Sequence, residues 1–304
     1  MTLHRFTFRA MAAENEVQVH SQDQRLAQSA AARAIAEVKR IEAKYSRYLA
    51  ESVVSRINAA AGGAAVAIDA ETHGLLVFAG ACHEQSAGAF DATSGVLRRA
   101  WRFDGARVPG DAELAPLLDL IGWPRVELTE HSVRLPARGM ELDFGGFGKE
   151  YAVDRAALVL REAGAQSALV NLAGDLAILG PQPDGSPWRV GIRHPRHEGM
   201  LLATLPVISG GIATSGDYER FVEVDGVRHS HILDPRTGRA MHSFQSVTVH
   251  AGSCLIAGSA STIAMLKGER EGLEWLEMLG LSHLCVRASG EVVDGFDAGG
   301  SAAA

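Results

Sequence analysis

Four stretches of this 304-residue chain hold more glycine, hydroxyl and acidic residues than their apolar surroundings require. The first runs from Glu141 to Asp154 (ELDFGGFGKEYAVD), where a strand ends at Asp143 and Gly145, Gly146 and Gly148 lead into a helix. Unpaired N–H groups at a helix start, approached through a glycine turn, form a seat for an anion. The spacing fits neither a Walker loop nor a G-x-G-x-x-G fingerprint. A tight strand-to-helix turn capped by Asp143 accounts for the same residues.

The second stretch, NLAGD from Asn171 to Asp175, sets an amide and a carboxylate around small residues between two strands. It suits contact with a ring edge through exposed backbone, or a plain Asp-capped turn. The third pairs ATSGDYER (213–220) with HSHILDPRTG (229–238). Thr214, Ser215 and Asp217 followed by His229 and His231 exceed what a hairpin needs, and histidine exchanges protons near neutral pH. Any single histidine is more often structural, no G-x-S-x-G elbow surrounds Ser215, and Asp234 to Gly238 reads as a turn. The fourth, SCLIAGSASTIAMLKG (253–268), is a helix of small residues whose flat face admits either a flat ligand or a closely packed sheet.

The elements that must position these stretches follow from hydrophobic period. Residues 3–20 read as strand, turn, strand, and 21–47 as a long helix with Leu26, Ala30, Ile35, Val38 and Ile41 on one stripe. Residues 45–58 read as polar and irregular, 69–82 and 94–103 as helices, and 126–128, 132–135 and 142–144 as short strands. An amphipathic helix over 150–163 stops at Gly164. Strands follow at 167–172, 176–179, 188–192, 201–208 and 211–214. Residues 221–224 and 227–230 form a hairpin across Asp225-Gly226, which suits a type I′ turn. A strand at 246–251, helices at 255–266 and 272–279, and a hairpin of 283–287 with 291–293 complete the chain. The pattern is α+β, one large domain over residues 1–297 with mixed sheets packed against helices, and a frayed tail at 298–304.

Composition limits the functional classes. Lys and Arg number 29 against 36 Asp and Glu, a net charge of −7, which disfavours a general nucleic-acid surface. Hydrophobic residues at 47% and charged residues at 21% describe a globular chain. Glycine is in surplus, 33 residues or about 11% against a usual ~7%. Cys82, Cys254 and Cys285 have no C-x-x-C spacing, so neither a disulfide framework nor a cysteine zinc site is expected. With no signal-peptide core and no long apolar run, a cytoplasmic setting is expected.

In their order, the motifs resemble those of the ApbE-type flavin transferases. LDFGGFGKEYAVD is similar to the family's DLGGIAKGYAVD, ALVNLAGDL to ALVNxGGDI, and ATSGDYERF with HSHILDPRTG to ATSGDYxR with YSHIIDPxTG. Upstream, YSRYLAESVVSRIN resembles DxxSxISRLN, and GAFDAT matches GxFDxT, so the likeness runs from about residue 10 to 270. It implies a single α+β domain that binds FAD, cleaves its pyrophosphate with Mg²⁺, passes FMN to a threonine hydroxyl of a target flavoprotein and releases AMP. By position, Asp143 would hold the flavin or its phosphate side, and Ala89, Phe90 and Asp91 the nucleotide. Met11 would touch FAD, Asn58 would end the motif that meets the adenine, and Lys149, Thr214 and Ser215 would fall within the cofactor-binding motifs. The Gly146 carbonyl and Thr262 match metal-ligand positions. His231, near the reacting phosphates, would help to deprotonate the acceptor, with Asp217 beside it in the catalytic set.

Four departures accompany the resemblance. The family's metal helix carries an aspartate four residues before the threonine, and here that position is Gly258. Mg²⁺ prefers hard oxygen ligands with at least one carboxylate, so metal binding is expected to weaken unless phosphates, water, Asp143, Asp175 or Asp217 complete the shell. Two other outcomes stay open: a chain that binds FAD without transferring it, and one that hydrolyses FAD to FMN and AMP. The usual M-G-T is Met11-Ala12-Ala13, and the glycine of K-G-Y is Glu150. Many members are exported lipoproteins, whereas no lipobox cysteine is present here.

Overall fold

The alternation of Phe6, Phe8, Val17 and Val19 folds as a hairpin of β1 (Thr2–Ala10) and β2 (Ala13–Ser21), in register from Thr2 opposite Ser21 to Ala10 opposite Ala13. The structure, a computed structural model, describes residues 1–105 and 107–296; the expected tail at 298–304 and the boundary at 297 lie outside the described residues. The turn uses Met11 at φ 52° and Ala12 at φ 60°, a left-handed pair with no glycine in it. The Met11 N–H donates to Glu42 Oε1 at 2.6 Å and ties the turn to the following helix.

That helix, α1 (Gln24–Tyr45), starts at Asp23, whose side chain accepts from the N–H groups of Arg25 and Leu26. Its buried face holds Ala27, Ala30, Ala31, Ala34, Val38, Ile41 and Tyr45. Leu26, expected in that stripe, is 66% exposed, and its neighbour Ala27, 1% exposed, takes the inward position. The segment expected to be irregular contains α2 (Val53–Ala59), capped by Ser52 and held by buried Val54 and Ile57. After β3 (Val66–Ala67) comes α3 (Ala70–Gln85), capped by Asp69. Residues 94–103 form only a short 3₁₀ turn, Ser94–Arg99, and Trp101 then leaves the axis to donate from Nε1 to the Gly238 carbonyl. The helix α4 (Asp111–Leu118) was hidden by Pro109, Gly110 and Pro116.

The strand β5 (Ser132–Arg134) pairs with β3 on one side and with β4 (Glu127–Leu128) on the other in a small sheet. The strand expected over 142–144 does not form. Asn58 engages the Leu142 backbone at both ends, accepting from its N–H at 2.7 Å and donating to its carbonyl at 2.9 Å, while the Asp143 N–H donates to the Ala92 carbonyl. These groups therefore have partners without a strand neighbour.

Beyond the glycine turn lies α5 (Gly148–Glu162). Then come β6 (Ala168–Leu172), β7 (Asp175–Leu179), β8 (Trp188–Arg193), β9 (Leu201–Val207) and β10 (Gly210–Gly216). The hairpin β11 (Phe221–Val224) and β12 (Val227–Ser230) turns across Asp225 at φ 51° and Gly226 at φ 75°, as the Asp-Gly pair predicts. Last are β13 (Phe244–Ala251), α6 (Cys254–Lys267), α7 (Glu269–Met278), β14 (Ser282–Arg287) and β15 (Val292–Asp294).

Eight strands form one antiparallel sheet in the order β1-β2-β6-β7-β10-β13-β14-β15. Successive residues face opposite sides. Ala168, Val170, Ala213, Val247 and Val249 pack beneath α1, α5 and α6, while Leu169, Leu176, Ile178 and Ile212 meet Trp188, Val190 and Leu205 of the β8–β9 hairpin. The central strands are thus covered on both faces and read as near-continuous apolar runs. Helix α6 approaches β10 so closely that a Cβ at Gly211 would lie 2.0 Å from the Cys254 nitrogen. Among the described residues no helix is long and apolar enough to cross a membrane.

Within the helical layer, α5 and α6 are joined at the start of α6. Asp154 on α5 accepts from the Cys254 and Leu255 N–H groups, at 2.8 Å each, so that a carboxylate seats on the positive end of α6. Truncation in Asp154→Ala leaves two helix-start donors without this partner and is expected to lower stability by about 2 kcal/mol; a denaturation midpoint equal to wild type contradicts the cap. At the β1–β2 turn, Ala12→Gly removes the left-handed penalty of a Cβ, partly offset by unfolded-chain entropy, so a gain of about 0.5–1 kcal/mol is expected. A lower midpoint in the same denaturant titration contradicts it.

Candidate functional site

The four polar stretches meet in a closed circuit. Lys149, in the first turn of α5, places Nζ 2.7 Å from Asp175 Oδ2 at the start of β7. The Asp175 carboxylate, 4% exposed, stands at the end of β7 that pairs with β10, where Leu176 lies opposite Ile212. Further along β10, the Ser215 hydroxyl lies 2.8 Å from Ser261 Oγ and 2.9 Å from Thr262 Oγ1 on α6. One turn before Thr262, Gly258 faces Glu150 of α5, which stands beside Lys149. The circuit thus runs from α5 through β7, β10 and α6 and back to α5.

At Gly258 the approach leaves no room for a side chain. A Cβ there would lie 2.5 Å from Glu150 Cγ and 3.0 Å from both Cδ and Oε1. Glu150 is 8% exposed, and its Oε2 is buried without a hydrogen-bond donor. Burial, then the like charge of Asp175, push the Glu150 carboxyl up to about 7, against the pull of Lys149. Burial alone would release the Lys149 proton, but the negative charges of Asp175 and Glu150 outweigh it and hold the ammonium form.

Strand alternation separates two hydroxyls that are adjacent in sequence. Ser215 faces α6, whereas the Thr214 hydroxyl pairs with Thr248 Oγ1 at 2.9 Å, so its side chain lies outside the circuit. The glycine turn presents a different surface. Gly145 donates its N–H to Asp143 Oδ1 at 2.9 Å, and the ring of Phe90 lies 3.0 Å from where a Gly146 Cβ would stand. Among the described residues no backbone N–H donates to the Gly146 carbonyl.

A second line of contacts leads from Asp143 to His231. Asp143 pairs with the Arg47 guanidinium, and Arg47 Nη2 donates to Tyr48 Oη at 2.8 Å. Burial opposes it, but the guanidinium charges of Arg47 and then Arg220 draw the Tyr48 phenol below its usual value. The Arg220 carbonyl accepts the His231 N–H at 2.9 Å and lies 3.2 Å from His231 Nδ1. Because a carbonyl can only accept, this contact assigns the proton to Nδ1 and leaves the Nε2 lone pair of an exposed ring available as a base. Tyr48 is itself 72% exposed and lies beneath the Arg47 guanidinium at 4.8 Å.

Other anticipated residues have structural partners. Asp217 receives both Arg196 nitrogens, at 2.7 and 2.6 Å, and fastens the β10–β11 connection to the loop after β8. Asp91 accepts from the Thr93 N–H and hydroxyl and from the Trp123 N–H, and with His83, Pro235 and Arg236 it lines a cavity of about 340 Å³. Ala89 and Phe90 are buried, and the Asn58 amide is the clamp on Leu142. Met11 sits in its turn with its N–H bound to Glu42. Sequence reasoning missed Arg47, Tyr48 and Asp154 as organisers of the site, although all three fall inside the motifs quoted for the resemblance. It saw Glu150 only as a departure.

Comparison with known proteins matches this architecture from end to end. The sequence profile described as "ApbE family" matches residues 11–285. The chain is similar to the FAD:protein FMN transferase of Treponema pallidum, with 33% identity over 80% of this chain and 75% of that one. It is 34% identical to the FAD:protein FMN transferase of Klebsiella pneumoniae, over 84% of this chain and 80% of that one. Among solved structures, the ApbE protein of Thermotoga maritima superposes with a TM-score of 0.89 at 31% identity, covering 97% of both chains. The apo flavinyl transferase ApbE of Pseudomonas stutzeri superposes at 0.84 with 31% identity, covering 96% of this chain and 93% of that one. By sequence along most of its length and by fold along nearly all of it, this chain belongs to the ApbE family.

Proposed function

We propose that the protein is an FAD:protein FMN transferase, which takes FAD as substrate and moves its FMN half to a threonine hydroxyl of a target flavoprotein. The observation that carries this reading is the closed circuit itself. The four polar stretches come together through Lys149–Asp175, the pairing of β7 with β10, Ser215–Thr262 and Glu150–Gly258. A packing role alone would not require so many polar side chains to converge.

In the reaction, the acceptor hydroxyl oxygen bonds to the FMN-side phosphorus, the bridging P–O bond breaks, and AMP leaves with that electron pair. Positioning and charge neutralisation dominate such transfers. His231 Nε2 takes the hydroxyl proton, with Nδ1–H anchored on the Arg220 carbonyl. In this reading the glycine turn after Asp143 lies against FAD, while its own packing needs the glycines, since a side chain at Gly145 or Gly146 would meet Asp143 or Phe90 within 3.2 Å. Arg47 neutralises Asp143 and keeps that carboxylate from repelling a phosphate.

A divalent cation, Mg²⁺ in this reading, suits the oxygen-only character of the cluster. The Thr262 hydroxyl and the Gly146 carbonyl are the donors assigned to it. When bound, it would neutralise charge developing on the pyrophosphate oxygens.

Incubation of the full chain with FAD, Mg²⁺ and a flavoprotein domain bearing an acceptor threonine is expected to give a covalent FMN adduct by intact mass and an equal yield of AMP. His231→Gln should lower the transfer rate by roughly 10²-fold while FAD affinity holds. AMP release without an adduct overturns transfer in favour of FAD hydrolysis. FAD binding with neither product overturns it in favour of a flavin-binding protein.

A further inference from the structure

A buried carboxylate oxygen without a donor needs a proton or a cation beside it. Glu150 Oε2 is such an atom, and the nearby ammonium of Lys149 is already paired with Asp175 at 2.7 Å. The Glu150 carboxyl lies over the one position of α6 where a side chain cannot coexist with it, as a Gly258 Cβ would stand 2.5 Å from its Cγ. Positions 258 and 262 are one helical turn apart and share a face, so the carboxyl and the Thr262 hydroxyl stand over the same side of α6. Ser215 adds a hydroxyl to that cluster, 2.8 Å from Ser261 Oγ and 2.9 Å from Thr262 Oγ1. All the donors are oxygen, which selects a hard cation such as Mg²⁺ or Mn²⁺ over a softer metal.

We propose that Glu150, reaching from α5 into the gap above Gly258, is the carboxylate ligand of this chain's divalent cation, so that residues 150 and 258 form an exchanged pair in which α5 supplies the charge and α6 the space. The inference rests on the transferase reading for the identity of the substrate that shares the cation. It assigns a ligand to a residue that would otherwise read as a buried, charged defect. It also makes Gly258 a requirement of Glu150 instead of a lost ligand.

The test is Mn²⁺ binding to the full chain in the presence of FAD, followed by water-proton relaxation and by electron paramagnetic resonance of free Mn²⁺. Wild type should bind one Mn²⁺, and Glu150→Gln should weaken it about tenfold or more while FAD binding without metal is retained. The double variant Glu150→Gly with Gly258→Asp moves the carboxylate to α6 and should restore Mn²⁺ affinity. Gly258→Asp alone, which drives a second carboxylate into the Glu150 side chain, should lower thermal stability. The double variant also decides the matter if Glu150→Gln does not fold. Unchanged Mn²⁺ affinity in Glu150→Gln, or failure of the double variant to bind, overturns the assignment and leaves Glu150 as a protonated plug. Absence of Mn²⁺ binding in wild type also overturns it. These results are separable from those for transfer: adduct formation with unchanged Mn²⁺ affinity in Glu150→Gln sinks the ligand and keeps the transferase, whereas Mn²⁺ loss in that variant without any adduct from wild type does the reverse.

Discussion

Two carboxylates one turn apart on α5, Glu150 and Asp154, reach α6, and the site depends on how each is satisfied. Asp154 accepts two N–H groups from the start of α6 and fixes where that helix begins. With that end fixed, the small residues of α6 pack flat on β10 and β13, and Ser261 and Thr262 come within hydrogen-bond distance of Ser215. Glu150 has no such donors, and its partner is an absence of side chain at Gly258. A helix pinned at one point and hollowed one turn away holds a carboxyl group where water is scarce.

The surrounding charges are arranged to tolerate anions. Lys149 balances Asp175 at the floor of the site, and Arg47 balances Asp143 beside the glycine turn. Asp217, the carboxylate closest in sequence to Ser215, is neutralised by Arg196. Each fixed carboxylate except Glu150 is therefore matched by a basic group or by backbone donors. A net charge of −7 is thus compatible with a phosphate-bearing substrate, because the acidic groups nearest the site are locally compensated.

Much of this was legible in the sequence where chemistry and local structure coincide. The Asp225-Gly226 turn, the amphipathic α5 and the hairpin of β1 and β2 follow from short-range patterns. The glycines at 145, 146 and 148 announced a close approach before any partner was known. What failed depended on distant partners. The strand expected over 142–144 has its backbone satisfied by the side chain of Asn58, and α2 exists because Ser52 caps it and Val54 and Ile57 find a core. Leu26 fits the helical stripe by spacing, but the core meets Ala27 beside it and leaves Leu26 exposed. The roles of Glu150 and Gly258 belong to the same class. Each looks like a fault when read alone, and only the α5–α6 contact shows that one fills the space the other vacates.

The same contact gives the account its most direct test, a crystal structure of the chain with FAD and Mn²⁺, read by anomalous scattering. The account predicts one manganese peak bounded by the Glu150 carboxylate and the Thr262 hydroxyl, with the dinucleotide's phosphates on its open side and the glycine turn after Asp143 against the ligand. FAD bound elsewhere, or bound here with the manganese peak away from Glu150, would contradict it.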